Sequence, residues 1–161
     1  MINQLIDIIS REALLFESFL ELLEQQKAAL VANNLPELNH LTRLQQEALA
    51  QSRKLDDERV RVVAAIKAER QFDGDLTVSR IIALANSEQA SRLTELRELL
   101  LGLNDRILEV RNTNAFLINE SRELISRTMT MLSRGKQSDA TYTRYAARDE
   151  RRRSVALDRR I

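Results

Sequence analysis

Few residues of this chain could take part in catalysis or metal binding. The sequence has no cysteine and one histidine, His40, so it excludes a disulfide, a thiolate metal site and a histidine pair, and a metal centre would need carboxylates alone. It has no glycine-rich phosphate loop and no nucleophile elbow. We therefore predict no catalytic residue, no metal and no cofactor. His40, just after a predicted helix start, should lie on the surface.

Two acidic residues stand on otherwise apolar helix faces. Glu12 and Glu58 each interrupt a stripe of aliphatic side chains. Acid-base catalysis needs such groups to converge in a pocket that excludes water, whereas the other acids are spread over polar helix faces. An interrupted packing seam is the commoner explanation, so we predict that the protein is not an enzyme.

Basic residues are concentrated at the C-terminal end of the sequence. Residues 133–161 hold nine Arg or Lys and four Asp or Glu, a net charge of +5, whereas the rest holds 16 basic and 20 acidic residues, a net charge of −4. Arginines at 148, 151–153, 159 and 160 could neutralise phosphates, but the interleaved acids disfavour a polyanion. We therefore expect no nucleic-acid partner and interpret the segment as a solvated or protein-docking tail.

The elements that position these residues are predicted to be helices. Three glycines and one proline in 161 residues, with 30% charged and 43% hydrophobic residues, suit long helices and leave few turns. We predict an all-α fold: a long antiparallel helical hairpin or bundle with coiled-coil-like packing, one short extra helix and a flexible basic C-terminal tail. The bundle should cover residues 1–132 and the mobile tail residues 133–161. Helix content should exceed two thirds.

The first two helices are separated by a short link. Helix 1 is predicted over about residues 2–32, where apolar side chains recur at spacings of three and four. Asn34 is a predicted N-cap for helix 2, with Glu37 at the capping-box position and Pro36 in the first turn, where its missing N–H costs nothing. Helix 2 should continue to about Arg70. The short link predicts an antiparallel pair.

The second half of the chain contains a turn, a short helix and a long helix. Asp73 and Gly74 predict the turn, a short helix follows over about residues 77–85, and Asn86 or Ser87 is predicted to cap helix 4. Twelve seam positions of helix 4 alternate spacings of three and four residues. They are Leu93, Leu96, Leu100, Leu103, Ile107, Val110, Asn114, Leu117, Ser121, Leu124, Thr128 and Met131.

Three successive seam positions of helix 4 are polar: Asn114, Ser121 and Thr128. They either set the helix register as buried groups or keep a temporarily exposed seam soluble. The helix should end soon after Leu132, with Gly135 as its C-cap.

The far end of helix 4 is a predicted protein-binding surface. At 1.5 Å per residue the helix would measure about 70 Å, against roughly 46 Å and 54 Å for helices 1 and 2, so it should extend past its partners. Exposed apolar side chains there would bind a client, with self-association as the alternative. The predicted client-binding residues are Asn114, Leu117, Ile118, Ser121, Leu124, Ile125, Thr128, Met131 and Leu132.

The sequence resembles the FlgN-type flagellar export chaperones over nearly its whole length. The resemblance rests on a leucine-rich first helix with an early charged break, the element NLPEL at residues 34–38, and RNTNAFLIN at residues 111–119. An Asn-rich element followed by an apolar pair recurs in the last helix of that family. A tyrosine soon after that helix also recurs, and Tyr142 is the nearest equivalent. The family usually has a glycine shortly after this tyrosine, and this chain lacks it.

The resemblance implies a chaperone of the hook-filament junction (hook-associated) proteins. Such a chaperone holds aggregation-prone terminal helices of its clients in the cytoplasm and delivers them to the membrane-embedded export gate. Here a client helix would lie along helix 4, and Tyr142 or Tyr145 would dock at the export gate. Early charges at Asp7 and Arg11 argue against a signal peptide or membrane insertion. We expect a monomer or homodimer; the alternative function is a structural coiled-coil adaptor or homo-oligomeric scaffold without an export role.

Overall fold

A computed structural model of the chain describes residues 1–72 and 76–157, with side chains for residues 1–72 and 76–133. The described residues form four helices: α1 (Ile2–Val31), α2 (Leu35–Glu69), α3 (Val78–Leu84) and α4 (Ser87–Leu157). No strand occurs in these ranges, and helices make up well over two thirds of the chain, so the all-α prediction is confirmed. The predicted turn at Asp73 and Gly74 lies outside the described residues.

The link between α1 and α2 satisfies backbone groups at both helix ends. Asn33 N–H donates to Leu30 O at 3.1 Å and Asn34 N–H donates to Ala29 O at 2.9 Å, the two bonds of a Schellman motif. Asn33 has a φ of 52°, a left-handed conformation that asparagine tolerates. Asn34 Oδ1 then accepts from Glu37 N–H at 3.2 Å, which confirms Asn34 as the N-cap of α2.

Asn86 caps α4. Gln89 N–H donates to Asn86 Oδ1 at 2.9 Å, and Asn86 N–H donates back to Gln89 Oε1 at 3.3 Å. This reciprocal pair is a capping box with glutamine at its fourth residue. It decides between the two predicted caps in favour of Asn86 over Ser87.

Polar contacts between helices give their relative directions. Arg11 of α1 contacts Glu58 of α2, and Gln26 contacts Gln45 further along, so the two helices are antiparallel as predicted. Residues near the start of α1 contact the start of α4, since Gln89 Nε2 donates to Asn3 Oδ1 at 2.7 Å. A later α1 residue, Glu24, accepts from a later α4 residue, Arg106, at 3.1 Å. The first part of α4 is therefore parallel to α1.

The main apolar core lies where the start of α1, the end of α2, α3 and the start of α4 meet. Ile81 from the seven-residue helix α3 is 2% exposed, so this short helix covers one end of the core. Each fully buried aliphatic side chain contributes about 1.5–3 kcal/mol relative to an exposed one. The buried members of the cluster are Leu5, Ile9, Ala13, Ile66, Ile81, Leu93 and Leu96.

The chain divides into two compact units, and the boundary between them falls within the sequence of α4. The first unit is Met1–Leu117 and the second is Ile118–Ile161. The first unit contains α1, α2, α3 and the first part of α4, and we describe each unit by itself. The division falls earlier along the chain than the predicted division between residues 132 and 133.

The predicted end of the last helix at Gly135 is wrong, because α4 continues to Leu157. A glycine inside a helix costs about 1 kcal/mol relative to alanine, which neighbouring residues can offset. No proline follows Gly135, and alanine and arginine, both strong helix formers, are frequent after it. The mobility of residues 133–161 in the free protein stays a prediction. None of the described helices is both long and apolar enough to cross a bilayer.

Candidate functional site

The heptad seam of α4 is buried in the first unit. Leu93 is 1% exposed, and Leu96 and Leu103 are also buried. Ile107 and Val110, the next two seam positions, are half-buried. In this unit the predicted seam is therefore ordinary packing surface.

Asn114, the first polar position of the seam, is also buried, with 2% of its surface exposed. Its Nδ2 donates to Leu23 O at 2.9 Å and to Gln26 Oε1 at 3.0 Å. Gln26 Nε2 in turn donates to Gln45 Oε1 at 3.4 Å, so amide groups join α4, α1 and α2. Asn114 Oδ1 and Gln45 Nε2 have no hydrogen-bond partner among the described residues. This arrangement favours the interpretation that Asn114 sets the register of α4 against α1.

The next two polar seam positions have a different environment. Ser121 and Thr128 follow Asn114 by one and two heptads, and both are exposed. Thr128 Oγ1 donates to Leu124 O at 2.9 Å, so its hydroxyl is satisfied within the helix. These two residues therefore fit the other interpretation, in which polar groups keep an exposed seam soluble.

Large apolar side chains lie exposed on the part of α4 that belongs to the second unit. Six of them between residues 118 and 132 have 45% to 72% of their surface exposed. At 3.6 residues per turn they fall on one side of the helix together with Ser121 and Thr128, and the ion pair between Glu123 and Arg127 lies on the other side. We call these six residues the apolar face: Ile118, Leu124, Ile125, Met129, Met131 and Leu132.

The predicted client-binding residues fall into two groups. Seven of the nine are exposed in the second unit: Ile118, Ser121, Leu124, Ile125, Thr128, Met131 and Leu132. Leu117 is half-buried in the first unit, and Asn114 is buried there with its amide group bonded to α1. Asn114 is therefore not available to a client, because its side chain already packs inside the first unit.

Sequence reasoning missed one member of the apolar face. Met129 is 65% exposed and lies four residues after Ile125, on the same side of the helix. Its position four residues after Ile125 could have identified it, although Met129 does not occupy a seam position. The backbones of Tyr142 and Tyr145 lie within α4, and their side chains fall outside the described residues.

The two acids that interrupt apolar stripes pair with arginines of the neighbouring helix. Arg11 Nη2 donates to Glu58 Oε2 at 2.8 Å, and Arg59 Nε donates to Glu12 Oε1 at 3.1 Å. Burial raises the pKa of Glu12, and the Arg59 guanidinium opposes part of that effect. These pairs join α1 to α2. Glu12 and Glu58 therefore fit the interpretation that they interrupt the packing seam between these helices.

Neither acid belongs to a possible metal site. Among the described residues, no three His, Asp or Glu side chains lie close enough together to bind a metal ion. His40 is exposed, as predicted.

A family sequence model described as FlgN protein matches residues 1–150. No curated protein sequence and no solved structure matches the chain. The match includes the cap at Asn34, the buried seam of α4, the apolar face and both tyrosines. Because it covers most of the sequence, the chain belongs to the FlgN family, whose members are flagellar export chaperones.

Proposed function

We propose that this protein is a cytoplasmic export chaperone that binds amphipathic terminal helices of flagellar hook-associated proteins on its apolar face. Binding prevents premature assembly of the client, and the complex is then delivered to the flagellar type III export apparatus. The observation that supports this most is the exposure of six large apolar side chains on one side of α4. Surface patches of this kind on soluble domains usually mark interaction sites.

The apolar face suits a helical client. Residues 118–132 of α4 extend over about 21 Å, the length of roughly four turns in a client helix. An amphipathic helix places apolar residues at spacings of three and four, which match the spacings on this face. Ser121 and Thr128 lie among the apolar residues and keep the free face hydrated.

The expected affinity of the apolar face for its client allows the client to be released. Burying the exposed parts of these six side chains contributes less per residue than the roughly 1.5–3 kcal/mol of a full burial, because each is already partly covered. The loss of free motion on association offsets part of this gain, so we expect a modest affinity and reversible binding. A chaperone that hands its client to another machine requires such reversibility.

The client-binding proposal is tested with a pair of double variants. Leu124→Glu with Ile125→Glu places charges on the apolar face, and should abolish binding of a purified hook-associated protein in isothermal titration calorimetry. The melting temperature should change little, since both residues are exposed.

A matched control uses exposed leucines of the first unit. Leu14 and Leu49 are 66% and 50% exposed, so Leu14→Glu with Leu49→Glu should leave both binding and melting temperature near those of the parent. Leu100→Glu should instead unfold the protein, because Leu100 packs against the core cluster. The proposal is wrong if Leu124→Glu with Ile125→Glu unfolds as severely as Leu100→Glu, or if it binds client normally.

Delivery is the second part of the proposal. Tyr142 and Tyr145 are the only tyrosines of the sequence, and amphipathic aromatic residues are favoured in protein interfaces. The variant Tyr142→Ala with Tyr145→Ala should bind client normally but reduce its secretion, because docking at the export gate is weakened. Normal secretion of the client with this variant would contradict the assignment of export-gate docking to Tyr142 and Tyr145.

A structural coiled-coil adaptor or homo-oligomeric scaffold is the second candidate. The regular heptads of α4 favour it, since another copy could cover the same apolar face. Sedimentation of the free protein distinguishes the two. A constitutive oligomer that Leu124→Glu with Ile125→Glu dissociates would support the scaffold, whereas a monomer that becomes larger only with client would support the chaperone.

A further inference from the structure

The first unit contains a second exposed apolar surface, formed by an open groove. The groove encloses about 630 Å³. Leu5 and Ile9 of α1 line its floor, α2 and α4 form its two walls, and Ile81 of α3 also contributes to the lining. None of the residues of the apolar face lines it.

The walls of the groove expose aliphatic side chains to solvent. Val60 on α2 is 58% exposed and Leu101 on α4 is 56% exposed. Val63 and Leu100 lie deeper between the same helices. Exposed aliphatic groups on two facing walls are available to a third surface that enters between them.

The charged residues of the groove are mainly basic. Arg59 pairs with Glu12, and also with Asp56 outside the lining. Lys67 and Arg97 lie on opposite walls and have no ion pair among the described residues. The groove is therefore apolar inside and positively charged at its edge.

The dimensions of the groove match a short helix. Its lining extends along α4 from Leu93 to Asn104, about 16 Å, and along α2 from Arg59 to Lys67, about 12 Å. Helices α1, α2 and the first part of α4 provide three members of a bundle, and the groove between α2 and α4 lies where a four-helix bundle has its fourth helix. A helix of two to three turns would fill this position.

We propose that this groove binds an amphipathic helix of a second protein, two to three turns long, with aliphatic residues on one side and Asp or Glu at its edges. The aliphatic residues pack between Val60 and Leu101, and the carboxylates contact Lys67 and Arg97. The partner is distinct from the client of the proposed function, because it uses the first unit and none of the residues of the apolar face. Charge complementarity selects acidic helices over basic ones.

The proposal is tested with two synthetic peptides of about 11 residues, the length of three helical turns. Both have leucines at spacings of three and four, and the flanking positions hold glutamate in one peptide and lysine in the other. Fluorescence anisotropy should show that the glutamate peptide binds the full-length protein at least about tenfold more tightly than the lysine peptide. Amide chemical shifts should change along the groove, and binding should persist in Leu124→Glu with Ile125→Glu.

Variants of the groove provide the second arm. Lys67→Glu with Arg97→Glu should weaken the glutamate peptide about tenfold or more, whereas Arg43→Glu, an exposed charge reversal on α2 outside the lining, should not. Lys67→Ala with Arg97→Ala should also weaken binding of the glutamate peptide, without the added charge repulsion. Thermal melts confirm that each variant is folded.

Three results would overturn the proposal. The first is equal affinity for the two peptides, and the second is a set of shift changes confined to residues 118–132. The third is a dimer of the free protein that Leu101→Asp dissociates, because the occupant would then be a second copy of this chain. Persistence of peptide binding after loss of client binding would show that the groove and the apolar face act independently.

Discussion

The two parts of α4 have the same heptad spacing in two different environments. From Leu93 to Leu117 the seam is buried or half-buried in the first unit, whereas seam positions from Ser121 to Met131 are exposed in the second. Heptad spacing therefore identifies the apolar side of a helix. It does not tell whether that side is buried within the chain, because burial depends on which helices are within reach.

The largest expected difference between the two parts is the cost of deleting a seam leucine. Leu93→Ala should lower the free energy of unfolding by about 2–5 kcal/mol, because Leu93 is 1% exposed. Leu124→Ala, at a seam position that is 66% exposed, should change it by less than about 0.5 kcal/mol. Urea denaturation followed by circular dichroism measures both. Equal losses of unfolding free energy would show that Leu124 also belongs to the core, so that the two parts of α4 do not differ.

The second-largest difference in stability is expected between the polar seam positions. Asn114→Ala removes the donor to Leu23 O and to Gln26 Oε1, and should destabilise the protein by about 0.5–1.5 kcal/mol for each hydrogen bond lost. Ser121→Ala, one heptad further on, should be nearly neutral since Ser121 is exposed. The same denaturation assay applies. A neutral Asn114→Ala would contradict its role in fixing the register of α4.

The glycines of α4 provide a smaller test. A Cβ added at Gly102 meets no atom within 4 Å, so Gly102→Ala should raise the stability of the first unit by up to about 1 kcal/mol through helix propensity. Gly135→Ala should leave the unfolding of the first unit unchanged, since residue 135 lies in the second unit. Thermal melts of the two variants make the comparison. A decrease in stability for Gly102→Ala would show that the first unit needs flexibility at this position.

The smallest expected effect is a pH dependence within the first unit. Burial raises the pKa of Glu12 above its ordinary value of 4.5, so the folded state keeps this proton at pH values where the unfolded chain has lost it. The contribution of Glu12 to stability is therefore present below pH 4.5 and decreases as pH rises through the raised pKa.

Urea titrations at several pH values across this window provide the measurement. Glu12→Gln should remove the decrease, and Glu58→Gln, which breaks the ion pair with Arg11, should retain it. Identical pH slopes for the parent and Glu12→Gln would contradict the assignment.

The sequence was sufficient for the helices and their starts, because local chemistry determines them. Asn34 with Glu37 marked the start of α2, and the start of α4 was predicted at Asn86 or Ser87. In the structure the side-chain oxygens of Asn34 and Asn86 accept from exposed amides. The end of α4 was not predictable in this way. Gly135 is a common C-cap residue, but a helix also tolerates glycine when the flanking residues favour helix.

The sequence predicted that the candidate site is a line of residues along α4. It did not predict which residues of that line are exposed. Sequence spacing placed Asn114, Ser121 and Thr128 on one line, and only packing separates the buried first position from the two exposed ones. The amide contacts of Asn114 with Gln26 join residues 88 positions apart, and no local pattern indicates such a pair. The groove between α2 and α4 was missed for the same reason.

The contacts of α1 differ greatly in the length of chain that they enclose. Gln26 and Gln45, which join α1 to α2, are 19 positions apart, whereas Leu23 and Asn114, which join α1 to α4, are 91 apart. Closing the longer loop costs roughly 1.4 kcal/mol more in chain entropy. We expect the hairpin of α1 and α2 to form first during folding and α4 to dock afterwards. Pulsed hydrogen exchange should protect α1 and α2 amides before those of α4, and during that interval the side of α1 that later packs on α4 is open to other proteins.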